Sequence, residues 1–295
     1  MGKYAMVREL LSADGLFDFA PAPFALRDTI ALAHDPAYVD GFLAGTLDRS
    51  VIRRIGFPWS EALVRRTLAS AGGTLQAMHQ ALKTGWGGTL AGGTHHAFRR
   101  EGSGFCVFND IAIAIHDLRA RGIVRRAAVI DLDVHQGDGT AEIFQGDPDV
   151  LTFSMHGGNN FPFRKQRSVI DIELPDGATD EEYLEQLGPA LERVMDFDPE
   201  FVFYQAGVDA LAEDSLGRLA LTTQGLAERD RMVMRGARAH GAPFVITLGG
   251  GYSRPISISA EAHAQVYRIA AEELGTTLWA TPSKNSQCGV KLNRR

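Results

Sequence analysis

Cysteine is nearly absent from this chain: Cys106 and Cys288 are the two among 295 residues. Two cysteines make no disulfide framework, and a reducing cytoplasmic setting is the expectation. Basic residues are not in excess either. Lys and Arg number 30 against 36 Asp and Glu, a net charge of −6, which leaves no basic footprint for nucleic acid. No apolar run reaches membrane-spanning length, and the start Met1-Gly2-Lys3-Tyr4-Ala5-Met6 has no signal-peptide pattern, so no membrane partner is expected. There is no P-loop, no GxGxxG dinucleotide fingerprint and no internal repeat. What remains is ordinary for a soluble globular protein: 45% hydrophobic and 22% charged residues.

Short apolar runs alternate with helical patterns. The strand-like runs are 127–133, 150–154, 201–205 and 244–248. Helical spacing marks 61–83, with Ser60 as its N-cap, and 108–121, which stops at Gly122. It marks 180–195, opened by a capping box at Thr179, and then 224–240 and 259–274. Alternation of this kind predicts a single α/β domain with an open, mostly parallel sheet and helices on both faces. The domain is expected over 1–275. The polar, aperiodic stretch 276–295 is expected to be a flexible tail.

In such sheets, sites form beyond the carboxyl ends of the strands. Here each strand end carries reactive or flexible chemistry. The run at 127 leads into Asp131-Leu132-Asp133-Val134-His135-Gln136-Gly137-Asp138, and continued as a strand it puts Asp131, Asp133 and His135 on one side. Buried carboxylates at that density need a cation. The run at 201 leads to Asp209 and the run at 244 to Gly249-Gly250-Gly251-Tyr252. Asp133, His135 and Asp209 are therefore candidate Zn²⁺ ligands, three protein donors with a fourth position left for water. The plain alternatives are ordinary salt bridges for the Asp–His run and a helix cap for Asp209.

A second cluster is the turn Gly92-Gly93-Thr94-His95-His96. Asp131 and Asp138 can each accept from one imidazole and fix its tautomer, giving two His–Asp dyads suited to proton transfer. His95, paired with the strand residue Asp131, is expected to be the more buried and constrained; His96 is expected to exchange protons more freely. Tyr252, on its triple glycine, can donate to a developing oxyanion.

These segments carry a resemblance. GGTHHA (92–97), GFCVFND (104–110), DLDVHQGDGT (131–140), the Asp209 region and GGGY (249–252) are similar to the zinc-dependent histone deacetylase family of the arginase/deacetylase superfamily. The likeness covers roughly 1–274, and the stretches 52–60 and 173–184 look closest to its class IV branch and bacterial relatives. It implies zinc on Asp133, His135 and Asp209, and catalytic roles for His95, His96, Asp131, Asp138 and Tyr252. It also implies an acyl-lysine tunnel walled by Gly104, Phe105 and Phe161. A structural monovalent cation, K⁺, would be held by Asp131, Ser154 and the backbone of Asp133, His135 and Met155. The implied activity is hydrolysis of N-acyl amides, foremost N6-acyl-lysine in a protein or peptide. An acetylpolyamine amidohydrolase acting on a small acylated amine, a long-chain deacylase and a catalytically idle acyl-lysine-binding module are the alternatives.

Two departures stand out. Met1–Tyr4 resembles the interior of a family segment that follows a first strand and loop, so the chain is expected to lack both. Gly56-Phe57-Pro58-Trp59 has no counterpart of the loop aspartate by which some relatives grip the substrate backbone. The positions that hold a second metal in the binuclear manganese hydrolases of the superfamily are Gly137 and Leu211, so one catalytic metal is expected. An oxygen-rich set also accepts Fe²⁺.

Overall fold

The computed structural model describes residues 2–275, and the tail expected over 276–295 lies outside the described residues. Six parallel strands make one open sheet: β1 (Trp86–Gly88), β2 (Ala127–Asp131), β3 (Val150–Gly157), β4 (Ile170–Leu174), β5 (Phe201–Gln205) and β6 (Phe244–Thr247). Their order is β1-β6-β5-β2-β3-β4. The chain runs outward from β2 through β3 to β4, then returns to lay β5 on the other side of β2. The boundary between β2 and β5 is thus the switch point, where a crevice opens beyond the strand ends.

The sheet separates two apolar layers, and alternation along each strand serves both. Ala128, Ile130, Phe153, Val202, Tyr204 and Ile246 face one side. Ala127, Val129, Phe201, Phe203 and Val245 face the other. The first layer is covered by α1 (Gly2–Asp14), α8 (Asp180–Asp196), α9 (Thr223–His240) and α10 (Ile256–Leu274). The second is covered by α2 (Arg27–Ile30), α3 (Pro36–Ala44), α4 (Arg49–Ile55), α5 (Glu61–Thr84) and α6 (Asp110–Ala120), with α7 (Asp138–Ile143) beside them. Ser60 caps α5 through its side chain, and Thr179 with Glu182 forms the capping box of α8.

One expectation is corrected. β2 ends at Asp131, not at 133, so Asp133 and His135 sit in the loop beyond it rather than alternating along a strand. Leu132 still donates to Gln205 O, but the strand pattern stops where the carboxylates gather. β1, β4, α7 and the first four helices have no counterpart among the elements expected from the sequence. β1 is three residues long with two glycines, and β4 shows an exposed-inside alternation over five residues. No described helix is long and apolar enough to cross a membrane.

Candidate active site

At the switch point, Asp133 follows β2 and Asp209 follows β5. Donor atoms of Asp133, His135 and Asp209 lie within 4.8 Å of one another. His135 Nδ1 is 3.0 Å from Asp133 Oδ1 and 3.2 Å from Asp209 Oδ2. Separations near 3 Å suit donors that each stand about 2.1 Å from one ion. Both carboxylates are 1% exposed. Asp209 Oδ2 is buried and meets no hydrogen-bond geometry, despite its closeness to the imidazole. Burial raises the Asp209 carboxyl to about 6, with the Asp133 charge adding to the rise. Burial opposes ionisation of His135, yet its hydrogen bond to Asp133 and the nearby Asp209 carboxylate raise it to about 11. Two buried carboxylates thus draw positive charge to this spot, and the donor set fits a divalent metal.

Backbone holds the remaining oxygens. Asp133 Oδ2 accepts from Gly250 N at 2.7 Å, and Asp209 Oδ1 accepts from Val134 N at 2.9 Å. A Cβ on Gly250 would stand 1.9 Å from Asp209 Oδ2, which explains glycine at that place.

The two histidine rings meet beside the triad at a centroid distance of 4.1 Å, tilted by 50°. His95 Nδ1 is 2.7 Å from Asp131 Oδ2, and His96 Nδ1 is 2.6 Å from Asp138 Oδ1. The expected difference in burial is absent: they are 4% and 5% exposed. The difference is electrostatic. Burial works against a charged His95, but Asp131 and Asp133 raise it to about 9; burial and the charge of His95 lower His96 to about 4.

The turn carrying the pair is tied down by residues that sequence reasoning missed. The buried Asp110, first residue of α6, accepts from Gly93 N at 3.0 Å, Thr94 N at 2.7 Å and Thr94 Oγ1 at 2.6 Å. Gln205, the last residue of β5, donates to Gly93 O at 2.8 Å. Lys3 was missed too. Its buried ammonium donates to Gly251 O at 3.1 Å and Gly249 O at 3.3 Å, and lies 4.6 Å from the Tyr252 ring centroid. Burial lowers its pKa, against the pull of Asp209 and Asp133. No spacing in the sequence signals these partners. They meet only because β5, α1 and α6 converge on the glycine loops.

Tyr252 stands 46% exposed at the mouth, and burial of its ring raises the phenol's pKa. Phe161 packs edge-on to His96 at 4.9 Å between centroids. Gly104 lies against both, since a Cβ there would meet His96 at 2.6 Å and Phe161 at 3.1 Å. Phe105 is held at φ 66°, a conformation rare for a non-glycine residue, and turns a 56% exposed ring onto Phe57 at 5.1 Å. These residues line one cavity of about 2060 Å³ that also contains Asp133, His135 and Asp209. Asp131 and Ser154, two of the residues expected around a monovalent cation, are register partners on β2 and β3; Ser154 Oγ meets His156 Nδ1 at 3.0 Å.

Comparison with known proteins agrees with this geometry. The pattern described as "Histone deacetylase domain" matches residues 1–268. An uncharacterised protein of Picosynechococcus sp. is 44% identical over 277 residues, 92% of each chain. Histone deacetylase 2 of Arabidopsis thaliana is 39% identical over 187 residues, 62% of this chain and 48% of that one. The chain thus spans about half the length of that curated deacetylase. Among solved structures, the HDA15 HD domain superposes with a TM-score of 0.75 at 25% identity, covering 93% of this chain and 82% of that one. An acetylpolyamine aminohydrolase from Burkholderia pseudomallei shares the fold at TM-score 0.74 and 23% identity, over 91% and 90% of the two chains. With the matched pattern spanning most of the chain and the fold shared with these structures, the chain belongs to the histone deacetylase family of hydrolases.

Proposed function

We propose that this chain hydrolyses N6-acyl-lysine, with one Zn²⁺ held by Asp133, His135 and Asp209. The observation that carries the reading is the pair of His–Asp dyads, 2.7 and 2.6 Å long, beside a three-donor cluster in one cavity with Tyr252. When bound, zinc supplies Lewis acidity and lowers the pKa of its water toward about 7. The protein's own groups do the rest. His95, its Nδ1 turned to Asp131, presents Nε2 toward the triad, 3.9 Å from Asp133 Oδ1, and, kept charged by Asp131 and Asp133, serves as the electrostatic partner. His96, its Nδ1 turned to Asp138, lies against the tunnel wall Phe161; neutral at first, it takes the proton lost by the attacking water and returns it to the departing amine as the C–N bond breaks. Tyr252, lining the same cavity, would donate its hydroxyl to the oxygen that gains charge, an interaction made only in the transition state. Gly104, Phe105 and Phe161 hold the apolar stem of the lysine. Asp131, Ser154 and the backbone of Asp133, His135 and Met155 would hold K⁺ beneath the dyad.

The rim favours a polypeptide substrate over a polyamine. The cavity is lined by Arg54, Arg66, Arg218 and Arg254, while its carboxylates outside the triad reduce to Asp18. A polyamine carries several ammonium groups and is bound best where carboxylates gather at the mouth; here two of those arginines, Arg54 and Arg218, already pair with Glu101 and Asp176, and few carboxylates are left to receive it. Turnover of the zinc-loaded protein on acyl-lysine peptides and on acetylated putrescine and spermidine tests the reading. Peptides should be the better substrates. Hydrolysis of the polyamines alone would overturn it.

A further inference from the structure

We propose that Arg229 is a positioning residue that sets the separation of the two carboxylates in the metal triad. The assignment rests on the reading of Asp133, His135 and Asp209 as a metal site. In the sequence, Arg229 sits within Ala227-Glu228-Arg229-Asp230-Arg231, which reads as a solvated helix face. In the fold it is completely buried, one of the largest fully buried side chains among the described residues.

Its contacts join the two halves of the triad. β2 and β5 run side by side as far as Asp131 and Gln205. Beyond that register, the chain after β2 carries Asp133 and the chain after β5 carries Asp209. One nitrogen, Arg229 Nη1, donates to Leu132 O at 3.2 Å and to Gly207 O at 2.7 Å. The first carbonyl belongs to the peptide unit that supplies the Asp133 nitrogen. The second lies two residues before Asp209. A single planar donor group therefore clamps both departing segments at the point where the ladder gives out. The guanidinium is itself fixed. Its Nε and Nη2 donate to Asp230 Oδ1 at 3.0 and 2.8 Å, and Asp230 also accepts from the Tyr204 hydroxyl on β5.

Stability alone explains this arrangement poorly. A buried ion pair is often matched or bettered by apolar residues of similar volume, because both charges must leave water. A fork that reaches two carbonyls while bound to a carboxylate is something an apolar residue cannot supply, nor can lysine with its point charge. Residues that orient metal ligands from behind typically change metal affinity by about 10–100-fold.

The test is a double variant, Arg229→Met with Asp230→Asn, which removes both charges and keeps an acceptor for Tyr204. Zinc affinity is measured by competition with a chromogenic chelator, and thermal unfolding of the metal-free protein is measured in parallel. We expect the metal-free unfolding midpoint to stay near wild type while the zinc Kd weakens about 10–100-fold. Arg229→Lys, which keeps a cation beside Asp230, should fold and weaken zinc by a smaller factor. Wild-type zinc affinity in either folded variant overturns the proposal. A wild-type protein that takes up no divalent metal overturns the triad reading itself, a distinct outcome.

Discussion

The site has two halves built on different principles. The inner half, Asp133, His135 and Asp209, stands at the ends of central strands, and its carboxylates are locked by backbone N–H groups. The outer half, Phe105, Phe161, Phe163 and Tyr252, stands on loops, and Phe163 reaches 86% exposure. The difference separates two tasks. Atoms that hold charge must be fixed within fractions of an ångström, which packed strand ends supply. Atoms that meet a substrate must be reachable, which loops supply. Between the halves stands the His95–His96 turn, buried like the inner half yet facing the cavity of the outer one.

That division can be broken first at its strongest point. Asp209→Ala should remove the metal and bring turnover to background, with wild-type protein holding about one transition metal per chain by elemental analysis. Unchanged occupancy in the variant, or two transition metals in the wild type, would sink the assignment. Next come the histidines. His96→Ala should lower kcat by about 10²–10⁴ and more than His95→Ala does, with metal retained in both. The double variant should lose less than the product of the two single losses, since the pair acts as a unit. Multiplicative losses, or a worse His95→Ala, would contradict this.

Tyr252→Phe sharpens the comparison from the outer side. It should keep metal and fold while kcat falls by about 10²–10³, the scale of one lost oxyanion donor. Near-wild-type turnover would take Tyr252 out of the chemistry. The smallest effect belongs to the rim: Phe105→Ala should raise KM about tenfold, worth roughly 1.4 kcal/mol, and leave kcat nearly unchanged. A fall in kcat matching that of Tyr252→Phe would show that the loop half is not merely a binding surface.

Much of the inner half was legible because its chemistry is crowded in sequence: Asp131, Asp133, His135 and Asp138 fall within eight positions, and His95 abuts His96. The dyad pairings followed from that crowding, and α5, α8 and α9 from hydrophobic spacing and caps. What stayed hidden depends on pairs far apart. Lys3 meets Gly251 across 248 positions, and Gln205 meets Gly93 across 112. Arg229 drew no notice within the expected helix 224–240, because helical spacing cannot tell a buried arginine from a solvated one. β2 was drawn two residues too long, since Leu132 and Val134 keep an apolar alternation after the ladder has ended.

The shortness of β1 has a bearing on how the molecule behaves in company. A sheet edge is a template on which another chain can polymerise. Here that rim is Trp86-Gly87-Gly88, and the Trp86 carbonyl already accepts from Thr84 Oγ1 at 3.0 Å. An incoming strand would find about one rung and no β-branched side chain to grip. Edge-to-edge pairing is thus discouraged at this border by brevity and glycine rather than by charge.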